Sequence, residues 1–222
     1  MGRYRPVGCL GMGAVGVVYR AIELDSGRAV AIKFLMGHHL SSTVQVARFV
    51  REVDVLRRLA HPNIVPILDV GRHLDRFLFY VMPFIDGPDL HHRIQTRGRL
   101  APGSCAAILR QMLSALECVH AAGLVHRDVK PGNTIVDESD RVTLMDFGLV
   151  QDPARTRLTA DGKWVGTPLY VPPEAITSQQ FEPRSDLFSL GATVYEALTG
   201  RAPFAGTSLA EVLSVSWSWF SM

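Results

Sequence analysis

The sequence lacks the features of a membrane-spanning, secreted or nucleic-acid-binding protein. No apolar run reaches the length of about 18 residues at which a membrane-spanning helix is expected, and residues 1–5 lack the apolar core of a signal peptide. Lysine and arginine number 23 and aspartate and glutamate 21, so the formal net charge of +2 creates no strong field to attract nucleic acid. We expect a soluble, cytoplasmic protein with no membrane segment and no nucleic-acid partner.

Cysteine is scarce as well. Cys9, Cys105 and Cys118 are odd in number, far apart in the sequence and without CxxC spacing. This pattern is typical of a reducing compartment and disfavours a disulfide framework or a structural metal. Adjacent histidines at 38–39 and 91–92 raise the alternative of a metal site, but no cysteine or acid stands beside them at ligand spacing.

What the chain does have is apolar residues, which make up 47% of 222 and suffice for a core in one domain or in two lobes. Runs rich in Val, Ile and Tyr predict strands over residues 4–10, 16–23, 28–36, 67–70 and 77–82. After residues 85–87 the patterns become helical, over residues 90–96, 102–121 and 185–199, with a hairpin of residues 134–136 and 142–145. We therefore predict an α+β fold divided into residues 1–85 and 86–222.

One helix is predicted among the strands, over residues 42–59, with Ser42 as its cap. Its apolar stripe consists of Phe49, Val53, Leu56 and Ala60. Glu52 falls on the same stripe, and an inward-facing carboxylate needs a cation. Lys33, the only charge in residues 29–36, is the candidate, and the alternative is a lysine on the solvent face of its strand.

The later helices give further predictions of burial. In residues 102–121 the stripe consists of Ile108, Met112, Ala115 and Val119. In residues 185–199 it consists of Leu187, Leu190, Val194 and Leu198. Gly200 is the expected end of that last helix.

Four charged or amide-bearing side chains fall within residues 126–133, between a predicted helix and a predicted hairpin. They are Arg127, Asp128, Lys130 and Asn133. A loop on a rigid scaffold is a common place for catalytic groups, and the alternative is a solvated connection.

Residues 11–16, Gly-Met-Gly-Ala-Val-Gly, match the pattern GxGxxG. In a dinucleotide-binding fold this pattern opens a helix and is followed about 20 residues later by an acid. Here a strand continues at Val17, and Lys33 stands in the corresponding region. The pattern therefore does not support a dinucleotide-binding fold.

Taken in order, six motifs resemble those of a protein kinase catalytic domain. They are Gly11-x-Gly13-x-x-Gly16-x-Val18, Val30-Ala31-Ile32-Lys33, Glu52, His126-Arg127-Asp128 with Asn133, Asp146-Phe147-Gly148 and Pro172-Pro173-Glu174. Lys130 and Gly166-Thr167-Pro168 resemble the serine/threonine branch, and the loops are most similar to eukaryotic-like (Hanks-type) kinases of bacteria. The resemblance implies a two-lobed fold, with a small antiparallel N-lobe sheet carrying one helix and a mainly helical C-lobe.

The resemblance also implies an activity, the transfer of the γ-phosphate of ATP to a Ser or Thr hydroxyl of protein substrates. Asp128 would accept the proton of that hydroxyl or orient it, and Lys130 would neutralise the γ-phosphate. Asn133 and Asp146 would bind Mg²⁺, with Mn²⁺ as the alternative. His126 is expected to be a packed structural histidine under Phe147.

A nucleotide site is implied in the same way. Its residues would be Leu10, Gly11, Met12, Gly13, Ala14, Val15, Gly16, Val17, Val18, Ala31, Lys33, Pro83, Ile85, Asp89 and Ile135. Backbone N–H groups of the glycine loop can approach phosphates because glycine has no side chain. Lys33, oriented by Glu52, would hold the α- and β-phosphates, while Pro83 and Ile85 would offer a carbonyl and an N–H to adenine.

The segment after Asp146-Phe147-Gly148 resembles an activation segment. Thr156 or Thr159 is expected to be phosphorylated and to pair with Arg127, and Thr167 is expected to contact Asp128. Self-association for autophosphorylation is a further expectation.

Kinase domains usually continue for several helices after the match to residues 185–200, whereas residues 214–222 match nothing in the family. We therefore expect a C-lobe truncated within the helix that follows residue 200. The alternative to an active kinase is a nucleotide-binding but catalytically weak fragment that acts as a partner-binding module.

Overall fold

The computed structural model describes residues 2–13, 16–35, 43–74, 77–148, 168–178 and 180–204. The chain divides into two compact units. The first contains the residues up to Ala60 together with Val65–Asp86, and the second contains His61–Ile64, Gly87–Gly148 and the described residues that follow.

The first unit is built on a five-stranded antiparallel sheet with the strand order β1-β2-β3-β5-β4. The strands are β1 (Tyr4–Met12), β2 (Gly16–Glu23), β3 (Ala29–Leu35), β4 (Asp69–His73) and β5 (Phe77–Pro83). Side chains that alternate along the strands form its buried cluster, which consists of Tyr4, Ala21, Val30, Ile32, Phe79 and Val81. The predicted meander of the first three strands is confirmed.

The fourth strand was predicted over residues 67–70, and its position is wrong by two or three residues. Pairing of β4 with β5 begins at Asp69, opposite Val81, and runs to His73, opposite Phe77. Pro66 has no N–H to donate to a ladder, which delays the start of regular pairing.

Helix α1 (Thr43–Leu56) buries Phe49, Val53 and Leu56, as its periodicity predicts. The predicted burial of Ala60 is wrong, because the helix ends at Leu56 and Ala60 is exposed beyond it. Pro62 disfavours the helical conformation at His61, so the helix could not have continued past Ala60. The predicted cap, Ser42, lies outside the described residues.

The second unit is mainly helical. Its helices are α2 (Leu90–Arg97), α3 (Pro102–Ala121), α4 (Pro173–Ser178) and α5 (Pro183–Thr199), and its hairpin pairs β6 (Thr134–Val136) with β7 (Val142–Leu144). The four predicted core residues of α3 are all buried. An antiparallel sheet followed by a mainly helical unit confirms the predicted α+β class.

Helix α5 turns a different face inward from the one predicted. Leu187 and Leu198 are 48% and 39% exposed, so their predicted burial is wrong, although Leu190 is buried. The inward face instead carries polar residues, which are Ser185, Asp186, Ser189, Thr193 and Glu196. The predicted end is correct, because Gly200 caps the helix in the left-handed conformation with φ 77°.

Each of these buried polar groups has a hydrogen-bond partner. Ser189 donates to the carbonyl of Ser185 at 2.9 Å and Thr193 to that of Ser189 at 2.8 Å. The Tyr170 hydroxyl donates to Glu196, and burial together with this carboxylate raises the pKa of Tyr170. Polar groups that have hydrogen-bond partners cost little to bury. The apolar periodicity of α5 therefore predicted the wrong buried face.

Within the described part of the chain, no helix is both long and apolar enough to cross a membrane.

Candidate active site

The polar loop at residues 126–133 follows α3 and precedes β6. The chain reverses after α3 at Gly123, where φ is 76°, and it also enters the left-handed region at Arg127, where φ is 70°. A 3-10 turn, Pro131–Asn133, then leads into β6. The predicted placement of this loop between a helix and a hairpin is confirmed.

Asp128 lies at the centre of a compact hydrogen-bonded group. Lys130 Nζ donates to both of its carboxylate oxygens, at 3.0 and 2.8 Å. Asn133 Nδ2 donates to Asp128 Oδ2 at 2.7 Å and to its backbone oxygen at 2.8 Å. Burial raises the pKa of Asp128, but Lys130 and Asn133 outweigh it and hold that pKa below its usual value. The carboxylate is therefore ionised at neutral pH and acts as an acceptor.

Hydrogen bonds fix both the side chain and the backbone of Asn133. Its amide nitrogen is directed to Asp128, so Oδ1 is the side-chain oxygen through which it would bind a cation. Its backbone oxygen accepts from Met145 N at 3.0 Å, which links the loop to the segment just before Asp146.

His126 is a neutral, structural histidine. Its Nε2–H donates to the Met145 carbonyl at 3.1 Å, and its Nδ1 accepts from Asp128 N–H at 3.3 Å. The ring packs against Phe147 with centroids 4.4 Å apart, and Gly148 N–H donates to the His126 carbonyl at 2.9 Å. Complete burial lowers the pKa of His126. The prediction of a packed histidine under Phe147 is confirmed.

Asp186 of α5 is the residue that sequence reasoning missed. Its carboxylate is 1% exposed and accepts from the backbone N–H of His126 and of Arg127, both at 2.8 Å. His120 Nε2 lies 2.7 Å from the same carboxylate. A signal was available, because Asp186 stands four residues before Leu190 and so shares its helix face, the argument that selected Glu52. Asp186 is a positioning residue, since it holds the loop backbone rather than reactants.

Asp146 adopts the left-handed conformation with φ 59°, which aspartate tolerates better than most residues. The two residues after it are anchored on His126 through the contacts described above. The position of Asp146 is thus set by both neighbours, Met145 and Phe147, which bind the same buried ring.

The first unit holds the remaining predicted catalytic residues. Lys33 lies on β3, between Val18 of β2 and Tyr80 of β5 in the sheet register. Glu52 on α1 is 13% exposed at its side chain and accepts from Arg48 Nε at 3.0 Å. The ion pair between Lys33 and Glu52 stays a prediction.

The glycines of the first hairpin differ in their surroundings. A Cβ on Gly16 would lie 1.9 Å from the Phe34 carbonyl oxygen, so the sheet itself requires glycine there. A Cβ on Gly11 or Gly13 would meet nothing within 4 Å. Room for a phosphate to approach the backbone is therefore present at these two positions, while Ala14 and Val15 lie outside the described residues.

The other predicted nucleotide residues are distributed over both units. Leu10, Met12, Val17, Val18, Ala31, Pro83 and Ile85 belong to the first unit, and Asp89 and Ile135 belong to the second. Asp89 caps α2 by accepting from His92 N–H at 2.7 Å, and it forms a β-bridge with Ile135. Asp89 thus has a structural role, and its role in nucleotide binding stays a prediction.

No cluster of three or more His, Cys, Asp or Glu side chains that could hold a metal ion occurs among the residues the structure describes. Mg²⁺ bound with a nucleotide needs only one or two protein oxygens, because phosphates and water supply the rest. Asn133 and Asp146 are a suitable donor set of that kind. Thr156, Thr159 and Thr167 lie outside the described residues.

Comparison with known proteins decides the family. The protein kinase domain matches residues 4–216. The chain belongs to the protein kinase family. This confirms the predicted resemblance and the two-lobed fold class that it implies.

Several bacterial kinases are similar to this kinase domain. Serine/threonine-protein kinase pkn3 of Myxococcus xanthus is 38% identical over 93% of the chain and 39% of its own length. PknD of Mycobacterium tuberculosis is 38% identical over 96% of the chain and 32% of its own length. PknL of the same species is 37% identical over 93% of the chain and 51% of its own length. The kinase domain thus spans about a third to a half of these relatives.

Proposed function

We propose that this chain is the catalytic part of an ATP-dependent serine/threonine protein kinase, which transfers the γ-phosphoryl group of ATP to a Ser or Thr hydroxyl of protein substrates. The observation that carries the proposal is the ionised Asp128 carboxylate, held by Lys130 and Asn133. The names of its bacterial relatives support the serine/threonine class.

Asp128 would accept a hydrogen bond from the substrate hydroxyl and orient its oxygen toward the phosphorus. Its lowered pKa makes it a weak base, which suits a loose transition state in which the hydroxyl loses its proton late. Lys130, bonded to Asp128, would place a positive charge beside the group being transferred.

Other residues would bind ATP and its metal. Asn133 Oδ1 and the Asp146 carboxylate would hold a divalent cation, for which we infer Mg²⁺ with Mn²⁺ as the alternative. When bound, that cation would supply counter-charge to the phosphate oxygens. Lys33 and the backbone of the glycine loop at residues 11–16 would bind phosphates.

Regulation by phosphorylation belongs to the same proposal. Phosphate on Thr156 or Thr159 would pair with Arg127, whose neighbour Asp128 would thereby be kept in place. Mass spectrometry after incubation with ATP and Mg²⁺ tests this. An unmodified segment in an active preparation contradicts it. We also infer protein substrates, a cytoplasmic location and self-association.

The decisive experiment measures transfer of radiolabelled γ-phosphate to a Ser/Thr-containing acceptor protein, with Asp128→Asn as the test variant. Loss of about 10²–10⁴ in rate is expected from removing a positioned acid-base group. Asp25→Asn, at a side chain 77% exposed, is the matched control. Equal background counts for the unaltered chain and Asp128→Asn, with retained nucleotide binding, would instead support the catalytically weak, partner-binding alternative.

A further inference from the structure

An open groove of about 730 Å³ lies between α3 and α5 of the second unit. Arg110, Leu113 and Glu117 of α3 and Leu187 of α5 contribute to its lining. Leu113 is 42% exposed and Leu187 48%, although both belong to helices whose other faces are buried. Apolar side chains grouped between opposite charges are typical of an interaction surface.

The outward side of α3 forms one straight stripe. It consists of the exposed residues Ala106, Arg110, Leu113, Ser114, Glu117 and Ala121. With 3.6 residues per turn, all six fall within about 50° of a single line along the helix. Its two alanines, Ala106 and Ala121, are equally far from the midpoint between Leu113 and Ser114.

The charges obey the same symmetry. Arg110 and Glu117 lie about 5 Å on either side of that midpoint, given a rise of 1.5 Å per residue. Neither side chain forms an ion pair with any residue in the part of the chain that the structure describes. Two opposite charges, placed evenly about a centre and both available, complement a second copy of the same stripe.

We propose that this stripe is a two-fold self-association surface on which α3 packs antiparallel to α3 of a second copy of this chain. A two-fold axis through the midpoint places Arg110 of each copy opposite Glu117 of the other, so one contact is made twice. A parallel arrangement would instead place like charges together. The alanines at both ends allow the helices to approach, and Leu113 and Leu187 lose exposed apolar surface.

We expect the dimer formed through this stripe to be weak. Exposed ion pairs contribute little each and are screened by salt, so the dimer is expected to dissociate as ionic strength rises. None of the residues assigned to phosphoryl transfer lies on the stripe. The association can therefore be tested without nucleotide, and its failure would leave the proposed activity unaffected.

Charge reversal gives a test with an internal rescue. Arg110→Glu leaves only acids on the stripe and Glu117→Arg leaves only bases, so each variant repels itself. Because each reversal changes both symmetric contacts, sedimentation velocity should show self-association weakened by about tenfold or more. An equimolar mixture of the two variants restores both pairs and should dimerise like the unaltered chain. Arg58→Glu, at an exposed residue of the turn just after α1, is the control that should change nothing.

Dimer formation in the mixture would also show that the variants are folded. Misfolded variants would not form a defined dimer when they are mixed. The proposal is overturned if the unaltered chain is monomeric at the highest concentration that stays in solution, which would mean that another segment or another protein covers the groove. It is equally overturned if the single reversals dimerise normally or if the mixture remains monomeric.

Discussion

Asp186 Oδ1 accepts a 2.8 Å hydrogen bond from the backbone N–H of Arg127, a residue held in the left-handed conformation with φ 70°. A non-glycine residue in that conformation costs about 1–3 kcal/mol, and it persists only where its surroundings enforce it. The other oxygen of the same carboxylate accepts from His126 N–H. The backbone immediately before Asp128 is thus held by α5.

Asp186→Asn should therefore disturb both the stability and the catalytic loop. An amide can accept one of the two N–H bonds but presents its own donors to the other. Loss of one charged hydrogen bond predicts a decrease of about 1.5–3 kcal/mol in the free energy of unfolding, measured in urea. We also expect kcat to fall more than the KM for ATP rises, with Asp25→Asn as the exposed control. A variant that keeps full kcat would show that Asp186 does not position the loop.

Alanine substitutions at Gly16 and at Gly11 in the first hairpin should have different effects, one on folding and the other on nucleotide binding. Gly16→Ala would place a Cβ 1.9 Å from the Phe34 carbonyl oxygen, so it should lower the thermal midpoint, as overpacking usually costs about 1–3 kcal/mol. Gly11→Ala meets no protein atom within 4 Å and should leave the midpoint unchanged while weakening ATP binding. Thermal melts and titration with a fluorescent ATP analogue measure the two effects. Unchanged affinity in folded Gly11→Ala would argue against phosphate contact at this glycine.

His126 should make stability depend on pH near neutrality. Its pKa is lowered in the folded chain by burial, so below the usual value of about 6.5 the unfolded chain binds a proton that the folded chain does not. The free energy of unfolding should decrease as pH falls from 7.5 to 5.5, by at most about 1.4 kcal/mol per pH unit. In His126→Gln this part of the decrease should disappear, whereas exposed His92→Gln should keep it. Identical pH profiles for all three proteins would contradict the assignment of His126 as neutral.

Glu23, which lies in the first unit, should make stability depend on pH in a more acidic range. Hydrogen bonds from Ser26 and Arg28, with the charges of Arg28 and Arg3, lower its pKa from 4.5 to about 2. Its stabilising contribution is complete above the unfolded value of 4.5 and is lost as pH falls from there toward 2. Glu23→Gln should flatten the acid-unfolding curve in that window when followed by circular dichroism. Asp54→Asn, at an exposed residue of α1, should retain the steep decrease, and a steep curve in both variants would reject the role of Glu23.

The sequence alone correctly predicted the features that depend on apolar periodicity or on a known motif. Alternating apolar residues located four of the five sheet strands to within two residues, and the stripe on α3 was correct at every position predicted. Motif order identified Asp128, Lys130 and Asn133, which the structure brings into one hydrogen-bonded group. These successes share a cause, since each depends on neighbours that are close in sequence.

Helix α5 shows why the rest could not be predicted in this way. Four leucine and valine positions indicated one buried face, but the face that is buried carries Asp186 and Glu196. Their burial is permitted by donors far away in sequence, such as His126, which is 60 residues from Asp186. Periodicity contains no information about such partners. The predicted end of α1 was also wrong, because the helix ends at Leu56 and not at residue 59.

The same separation along the chain has a consequence for biosynthesis. A ribosome releases residues in order, and residues 126–133 emerge long before Asp186 does. Until α5 has formed, the carboxylate of Asp186 is not in place to bind the N–H groups of His126 and Arg127, and the left-handed turn at Arg127 lacks that hydrogen bond. A nascent chain that ends before residue 186 therefore contains every predicted catalytic residue and still lacks the carboxylate that binds the backbone just before Asp128.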